Sequence, residues 1–395
     1  MSGPRATDQF RHDRLPGSFR GADASWSVRA HLPAVLDLPA LAVCLFQVVF
    51  VALQAVRVPL GSFDAWSLWE YKGRRFWLDG GLSGGFLHDH AAIFAHPAYP
   101  PLVPLLIAWV YTWLGVADPA LIKPLFPAFF ASLLLAFYGA LRPRLGGRGA
   151  LLATAALALV PSVARYAGTG LADVPLAAAL VAVAAALARW HEQGDRRSLL
   201  AAGLLLGVAL LIKRDALFFS VAALCAVGLL ARSWRVALRF VLPACAIAGP
   251  WYAYVKLTGV PDRDFLPLTP HNLLSHGDRI GGIARLFSLN LLASDQWSVL
   301  WYAFAALLLA GLVQRRVRAA VLLLPVLAPL TMYVVSLSLS AWPDYMLHVR
   351  TSLDRLILVT TPFALWFVAE QLRPALQFQQ HGGNGPKGAE IARRA

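Results

Sequence analysis

Long apolar runs alternate with short arginine clusters along most of the chain. Runs of about 16–23 apolar residues are long enough to cross a hydrocarbon core. Spans are accordingly predicted at 34–56, 120–141, 150–164, 174–190, 199–212, 216–230, 236–255, 297–313, 319–339 and 356–372. The segment 100–115 is also apolar, but it is short and opens with Pro100-Pro101. If it crossed fully, Arg142, Arg144 and Arg148 would fall outside, against the tendency of Lys and Arg to remain on the cytoplasmic side. It is therefore predicted as a juxtamembrane or re-entrant helix. The fold class that follows is all-α: a polytopic membrane protein of about ten transmembrane helices, with juxtamembrane helices in the first outer loop.

This pattern also divides the chain. A cytoplasmic N-terminal tail covers 1–33 and a transmembrane unit covers 34–372, with outer loops at 57–119, 165–173, 256–295 and 340–354. A cytoplasmic tail at 373–395 is rich in Gly and loop-like around His381, and is expected to be disordered. The first tail, with five Arg and three Asp, is too long and mixed for a signal-peptide leader, so the first run is read as a retained span. Both termini then lie in the cytoplasm.

Composition supports the membrane reading. The 395 residues are 58% hydrophobic and only 14% charged, against roughly 25% charged in a soluble domain. A net charge of +14 would suit nucleic acid. The arginines, however, sit between apolar runs, as in a membrane protein, and form no basic stripe, so a nucleic-acid partner is not expected. Cys44, Cys225 and Cys245 all fall within apolar runs and are read as packing residues.

One long stretch breaks the apolar pattern. Between 63 and 105 the chain mixes Asp64, Glu70, Lys72, Arg74, Arg75, Asp79, His88, Asp89, His90 and His96 with Trp66, Trp69, Tyr71 and Trp77. Such a segment must lie at the membrane surface or line a cavity. Asp64 follows the first span closely. It suits either an interfacial Asp facing water or a general base in a cleft. Asp173, before Val174-Pro175, suits a helix N-cap, and a capping Asp at a cavity mouth can also bind a sugar hydroxyl. Lys213-Arg214 interrupts an apolar run of more than 30 residues. The pair is either a snorkelling hairpin or a clamp for a lipid phosphate at the membrane edge. His88 and His90 lack further ligands, so no metal site is predicted. Trp69, Lys72, His96, Tyr99, Arg165, Tyr166 and Arg350 share the outer segments and are the candidate substrate contacts. Chemistry is thus expected on one face, because the inner loops hold little except Arg.

Taken in order, these residues resemble the GT-C superfamily of membrane glycosyltransferases. The likeness is strongest to the branch holding protein O-mannosyltransferases and the aminoarabinose transferase that modifies lipid A. The matching positions are Asp64, the run His96 to Pro101, Gly170 to Pro175, and Leu211-Ile212-Lys213. Two positions depart from the pattern: Ala65 follows Asp64 where many relatives carry Glu, and Arg214 follows Lys213 where they carry Gly. The resemblance implies a GT-C fold in a bacterial inner membrane. It implies transfer of a sugar, with inversion, from a polyprenyl-phosphate donor to a glycan, lipid or protein acceptor at the outer, periplasmic face. Asp64 and Asp173 would be catalytic, and Lys213 and Arg214 would bind the donor phosphate. No nucleotide leaves, so no cofactor is implied. The competing readings are a transporter or flippase for a lipid-linked sugar, and a non-catalytic subunit that binds a polyprenyl lipid. An inverted repeat would favour transport, and none is visible.

Overall fold

The computed structural model describes residues 37–82, 84–262 and 264–373. The predicted tail at 1–33, and residues 374–395 of the tail predicted at 373–395, lie outside these residues. The described chain is helical, and strand pairing among these residues is limited to an isolated bridge between Phe265 and Ser340. Among the described residues, six helices are long and apolar enough to cross a membrane, and shorter apolar helices accompany them. The molecule is a polytopic membrane protein.

Helix α1 (Asp37–Arg57) carries the first span. The outer loop then forms a π-helical turn at Ala65–Tyr71 and two helices, α2 (Lys72–Leu78) and α3 (Leu102–Leu114). At about 1.5 Å per residue α3 is too short to span a bilayer, and it packs on α2 rather than along the bundle. The connection between the predicted spans at 120–141 and 150–164 is a tight reversal within one helical run. Helix α4 (Leu125–Ala158) runs through it and folds back at Gly146, whose φ of 72° is open to glycine. Contacts at the two ends show the reversal. Before it, Lys123 Nζ donates to the carbonyls of Val56 and Val58 at 3.3 and 2.9 Å, at the C-terminal end of α1. At the turn Arg148 pairs with Asp37 at 3.5 Å, at the N-terminal end of α1, and beyond it Ala155 packs back against Ala40 and Cys44.

The chain continues through α5 (Pro161–Ala167), α6 (Asp173–Gln193), α7 (Arg196–Ile212), α8 (Ala216–Ala231) and α9 (Trp234–Thr258). Gly203 and Gly207 of α7 face α9, where a Cβ at Gly207 would come within 2.6 Å of the Ile247 side chain. Small residues four apart allow such close helix packing in lipid. The last elements are α10 (Asp278–Leu291), α11 (Leu300–Val313), α12 (Leu324–Ser338) and α13 (Tyr345–Gln371). Helix α13 begins at Tyr345, capped by Asp344, so most of the loop predicted at 340–354 is helix. Part of the loop predicted at 165–173 is likewise helix, as α5. Helix α13 is the core of the bundle: 83% of its apolar window is buried, against 22% for α1. The exposed Leu45, Phe46 and Phe50 of α1 are what a lipid-facing surface requires. Cys44 is buried, whereas Cys225 and Cys245 are exposed rather than packed; all three are free.

Ion pairs gather at both ends. Arg144 pairs with Glu192 at 2.6 Å and Glu370 at 3.2 Å, joining the ends of α6 and α13 at the arginine-rich end. The other end, formed by the predicted outer loops, carries the polar groups described next.

Candidate active site at the outer end of the bundle

Three connections bring the outer polar residues together. Helix α7 ends at Lys213, where the backbone turns extended (φ −154°, ψ 147°). The buried Lys213 ammonium lies 2.7 Å from Asp173, in the first turn of α6, and 2.7 Å from Asp215. Burial pulls the ammonium down, but the two carboxylates outweigh it and hold it above the ordinary lysine range. Asp173 is therefore not the helix cap predicted for it: the N-cap is Ala172, and the Asp173 carboxylate, 1% exposed, is spent on Lys213.

The second connection is through His96. Its Nδ1 lies 2.6 Å from Asp264. Asp264 is placed by a short pairing in which Ala341 N donates to Asp264 O at 3.0 Å and Leu266 N to Leu339 O at 2.8 Å. Burial pushes the Asp264 carboxyl up, yet the His96 hydrogen bond and the charges of His96, Arg214 and His348 outweigh it, leaving it below the usual carboxylate range. On the other side of this turn, the fully buried Lys72 donates to His96 O at 2.7 Å and Tyr99 O at 3.3 Å. Burial, with Arg214 adding to it, holds the Lys72 ammonium well below the ordinary lysine range.

The third is an ion pair between Arg355 of α13 and Asp64. It ties the final helix to the first outer loop across 291 residues of sequence. Arg214 pairs with Asp262, and its guanidinium lies 4.8 Å from the centre of the Tyr99 ring.

These groups surround a cavity of about 570 Å³. Its polar wall includes Asp64, His96, Lys213, Arg214, Asp264 and Arg355. Its apolar wall includes Leu217, Phe218, Tyr333, Leu337 and Leu356. Trp342 and His348 add a stacked pair, with ring centroids 4.4 Å apart and planes at 15°. Leu217 is also 44% exposed on the surface of the bundle, so the apolar wall reaches the face that lipid covers. A carboxylate, several cations and a lipid-side wall around one space can bind an anionic lipid headgroup and activate a hydroxyl. Among the described residues, no three His, Cys, Asp or Glu side chains gather as a metal set.

With this geometry in place, comparison with known proteins is informative. The profile of the dolichyl-phosphate-mannose-protein mannosyltransferase family matches residues 96–249. The crystal structure of ArnT from Cupriavidus metallidurans bound to undecaprenyl phosphate is similar over 88% of this chain, with a TM-score of 0.57 at 18% identity. The fold is that of the GT-C glycosyltransferases. This chain spans 62% of the length of that ArnT. An oligosaccharyltransferase from Archaeoglobus fulgidus, in complex with Zn and sulfate, matches with a TM-score of 0.47 at 13% identity, over 89% of this chain and 51% of its own. No curated protein sequence matches significantly.

Within this GT-C frame the sequence-predicted residues separate clearly. Asp64, Trp69, His96, Tyr99, Tyr166, Lys213 and Arg214 all line the cavity. Asp173 stands behind Lys213 and does not. Lys72, predicted as a substrate contact, is buried behind the His96–Tyr99 turn and acts as its clasp. Arg165 faces Gln296 at 3.2 Å, away from the cavity. Arg350 is exposed on α13; five residues from Arg355, it projects from another side of the helix. Tyr166 reaches the cavity edge and donates to Asp354 at 3.2 Å. His88 meets the Thr258 carbonyl at 3.0 Å, and Asp89 caps the following turn.

Sequence reasoning missed Arg355, Asp264, His348 and Trp342. Arg355 fell between the loop predicted to end at 354 and the span predicted to begin at 356. A charged residue entering an apolar run is itself a signal, because its burial needs a partner. Asp264 carried no comparable signal, since its pairing with His96 depends on a loop folding back across 168 residues.

Proposed function

We propose that this protein transfers a sugar from a polyprenyl-phosphate-linked donor to an acceptor hydroxyl at the outer face of a bacterial inner membrane, with inversion. Both termini are then cytoplasmic, and the acceptor is a glycan, a lipid or a protein. The observation that carries this reading is the convergence of Asp64, Lys213, Arg214 and Arg355 on one cavity with an apolar, lipid-side wall.

The chemistry follows from that arrangement. The donor's tail stays in the bilayer, so its phosphate sits at the cavity edge. Asp64 accepts the proton of the attacking hydroxyl. The new bond forms at the anomeric carbon as the bond to the phosphate oxygen breaks, and the electron pair leaves with the polyprenyl phosphate. Cations placed in advance stabilise that developing charge. Attack opposite the leaving group inverts the centre. The undecaprenyl phosphate named with the ArnT structure supports a polyprenyl-phosphate donor for this chain. A transporter would need a path to the arginine-rich end, and none of the Arg144, Glu192 and Glu370 ion-pair groups lines the cavity.

The test is mass spectrometry of envelope glycans, lipids and glycoproteins from cells with the wild-type protein, with Asp64→Asn, and without the protein. The expected result is a sugar modification present only with the wild type. Identical profiles in all three would overturn the proposal.

A further inference from the structure

The cations around the cavity are not equally free to meet a ligand. Lys213 is held between Asp173 and Asp215 at 2.7 Å each. Arg214 is held by Asp262 and covered by the Tyr99 ring. Arg355 differs. Among the described residues Asp64 is its hydrogen-bonded partner, through one guanidinium nitrogen. A guanidinium has five N–H donors in a planar fork suited to bidentate phosphate binding. Arg355 lines the same cavity as Leu217, whose exposure on the bundle surface marks where a lipid headgroup would enter. Arg355 and Lys213 line the same cavity, so it holds more than one cation.

We propose that Arg355 is the principal ligand of the donor phosphate, and that it exchanges Asp64 for that phosphate when donor binds. This deepens the function proposed above and rests on it. Without donor, the Asp64 carboxylate is neutralised and oriented by Arg355. When the phosphate takes the guanidinium, Asp64 is released in the cavity as a free carboxylate. The attacking hydroxyl then gives its proton to Asp64. The acceptor oxygen bonds to the anomeric carbon, the carbon–phosphate-oxygen bond breaks, and the electron pair leaves on the phosphate that Arg355 holds. Donor binding thus arms the base. Water entering an empty site meets a carboxylate still engaged by its cation.

The test is binding of undecaprenyl phosphate to the full chain in lipid nanodiscs, with undecaprenol as the phosphate-free control. Charge-assisted hydrogen bonds of this kind correspond to roughly 10- to 100-fold in affinity. Arg355→Gln should lose about that much, and Arg355→Lys should lose less. Asp64→Asn should bind undecaprenyl phosphate as tightly as wild type or tighter, because the competing carboxylate is gone, while failing in turnover. A merely structural Arg355 predicts otherwise: turnover falls in Arg355→Gln, but phosphate affinity does not change in either variant. That result overturns the exchange and leaves the donor reading standing. Failure of wild type to prefer undecaprenyl phosphate over undecaprenol would overturn the donor reading itself. If Arg355→Gln does not insert correctly, Arg355→Lys and Asp64→Asn decide. Weaker phosphate binding by Asp64→Asn, with Arg355→Lys unchanged, contradicts the exchange.

Discussion

At the scale of single residues, the site is a set of charges that each have a counter-charge. Asp64 combines a cavity-facing position with an arginine partner. Replacing it by Asn keeps its shape and removes its basicity. Turnover should fall roughly 100-fold or more, with insertion and thermal stability close to wild type. Near-wild-type transfer by an inserted Asp64→Asn protein would remove the residue from the base role. Lys213 should behave differently, because it has a structural role as well. Its loss removes the ammonium bonded to the buried Asp173 carboxylate and leaves Arg355 as the nearby cation; breaking a buried pair costs up to about 3–5 kcal/mol. Lys213→Gln should therefore unfold at a clearly lower temperature in detergent, and Lys213→Gln with Asp173→Asn should recover part of the loss. An additive double variant would show that the two do not interact.

At the scale of elements, the cavity is closed by the first outer loop, which holds a buried apolar cluster of its own around Phe76, Phe86 and Leu87. The first outer loop is fastened to the 264–266 segment by His96 and Asp264, and that segment pairs in turn with 339–341. The sign of its acid sensitivity follows from Asp264. Its folded carboxyl lies below the ordinary aspartate range. The stability it contributes is therefore full above the unfolded value and is lost as pH falls through the lower folded value. The other groups facing it, His96, Arg214 and His348, favour the ionised carboxylate. Below about pH 4, limited proteolysis should cut the loop between α2 and α3 faster, while the bundle stays protected. Asp264→Asn should show fast cutting already at neutral pH. Equal cutting of both proteins at pH 7 would mean the tether does not hold the loop.

At the scale of the whole molecule, the alternation of the helices divides the charges into two groups. Asp37, Arg144, Arg148, Glu192 and Glu370 gather at one end, and the cavity groups at the other. With the arginine-rich end inside, a single cysteine at Gly84 should react with an impermeant reagent in intact cells, and one at Gly147 only after lysis. Labelling at Gly147 but not at Gly84 would invert the molecule and move the chemistry to the cytoplasmic face.

The same scale shows what could be read without a structure. Span order, the short helix after Pro101 and the sidedness of the charges follow from run length and arginine placement. Those are local properties that lipid imposes on any chain, so the sequence by itself determined the all-α membrane architecture and the segments holding the site. It also pointed to Asp64, His96, Lys213 and Arg214, because polar residues in an apolar chain stand out singly. It could not determine partners. Lys72 was indistinguishable from a substrate contact until its carbonyl acceptors were in place. Arg165 and Arg350 stood out equally as charges, but the helix faces they occupy depend on packing. Asp173 could be read as a cap until Lys213 was seen to claim it. Arg355, at a span boundary, became part of the site only when α13 took the centre of the bundle. Those assignments rest on contacts between residues 24 to 291 positions apart. Pairing of that kind belongs to tertiary structure, because the energy of a buried charge depends on which opposite charge the fold brings to it.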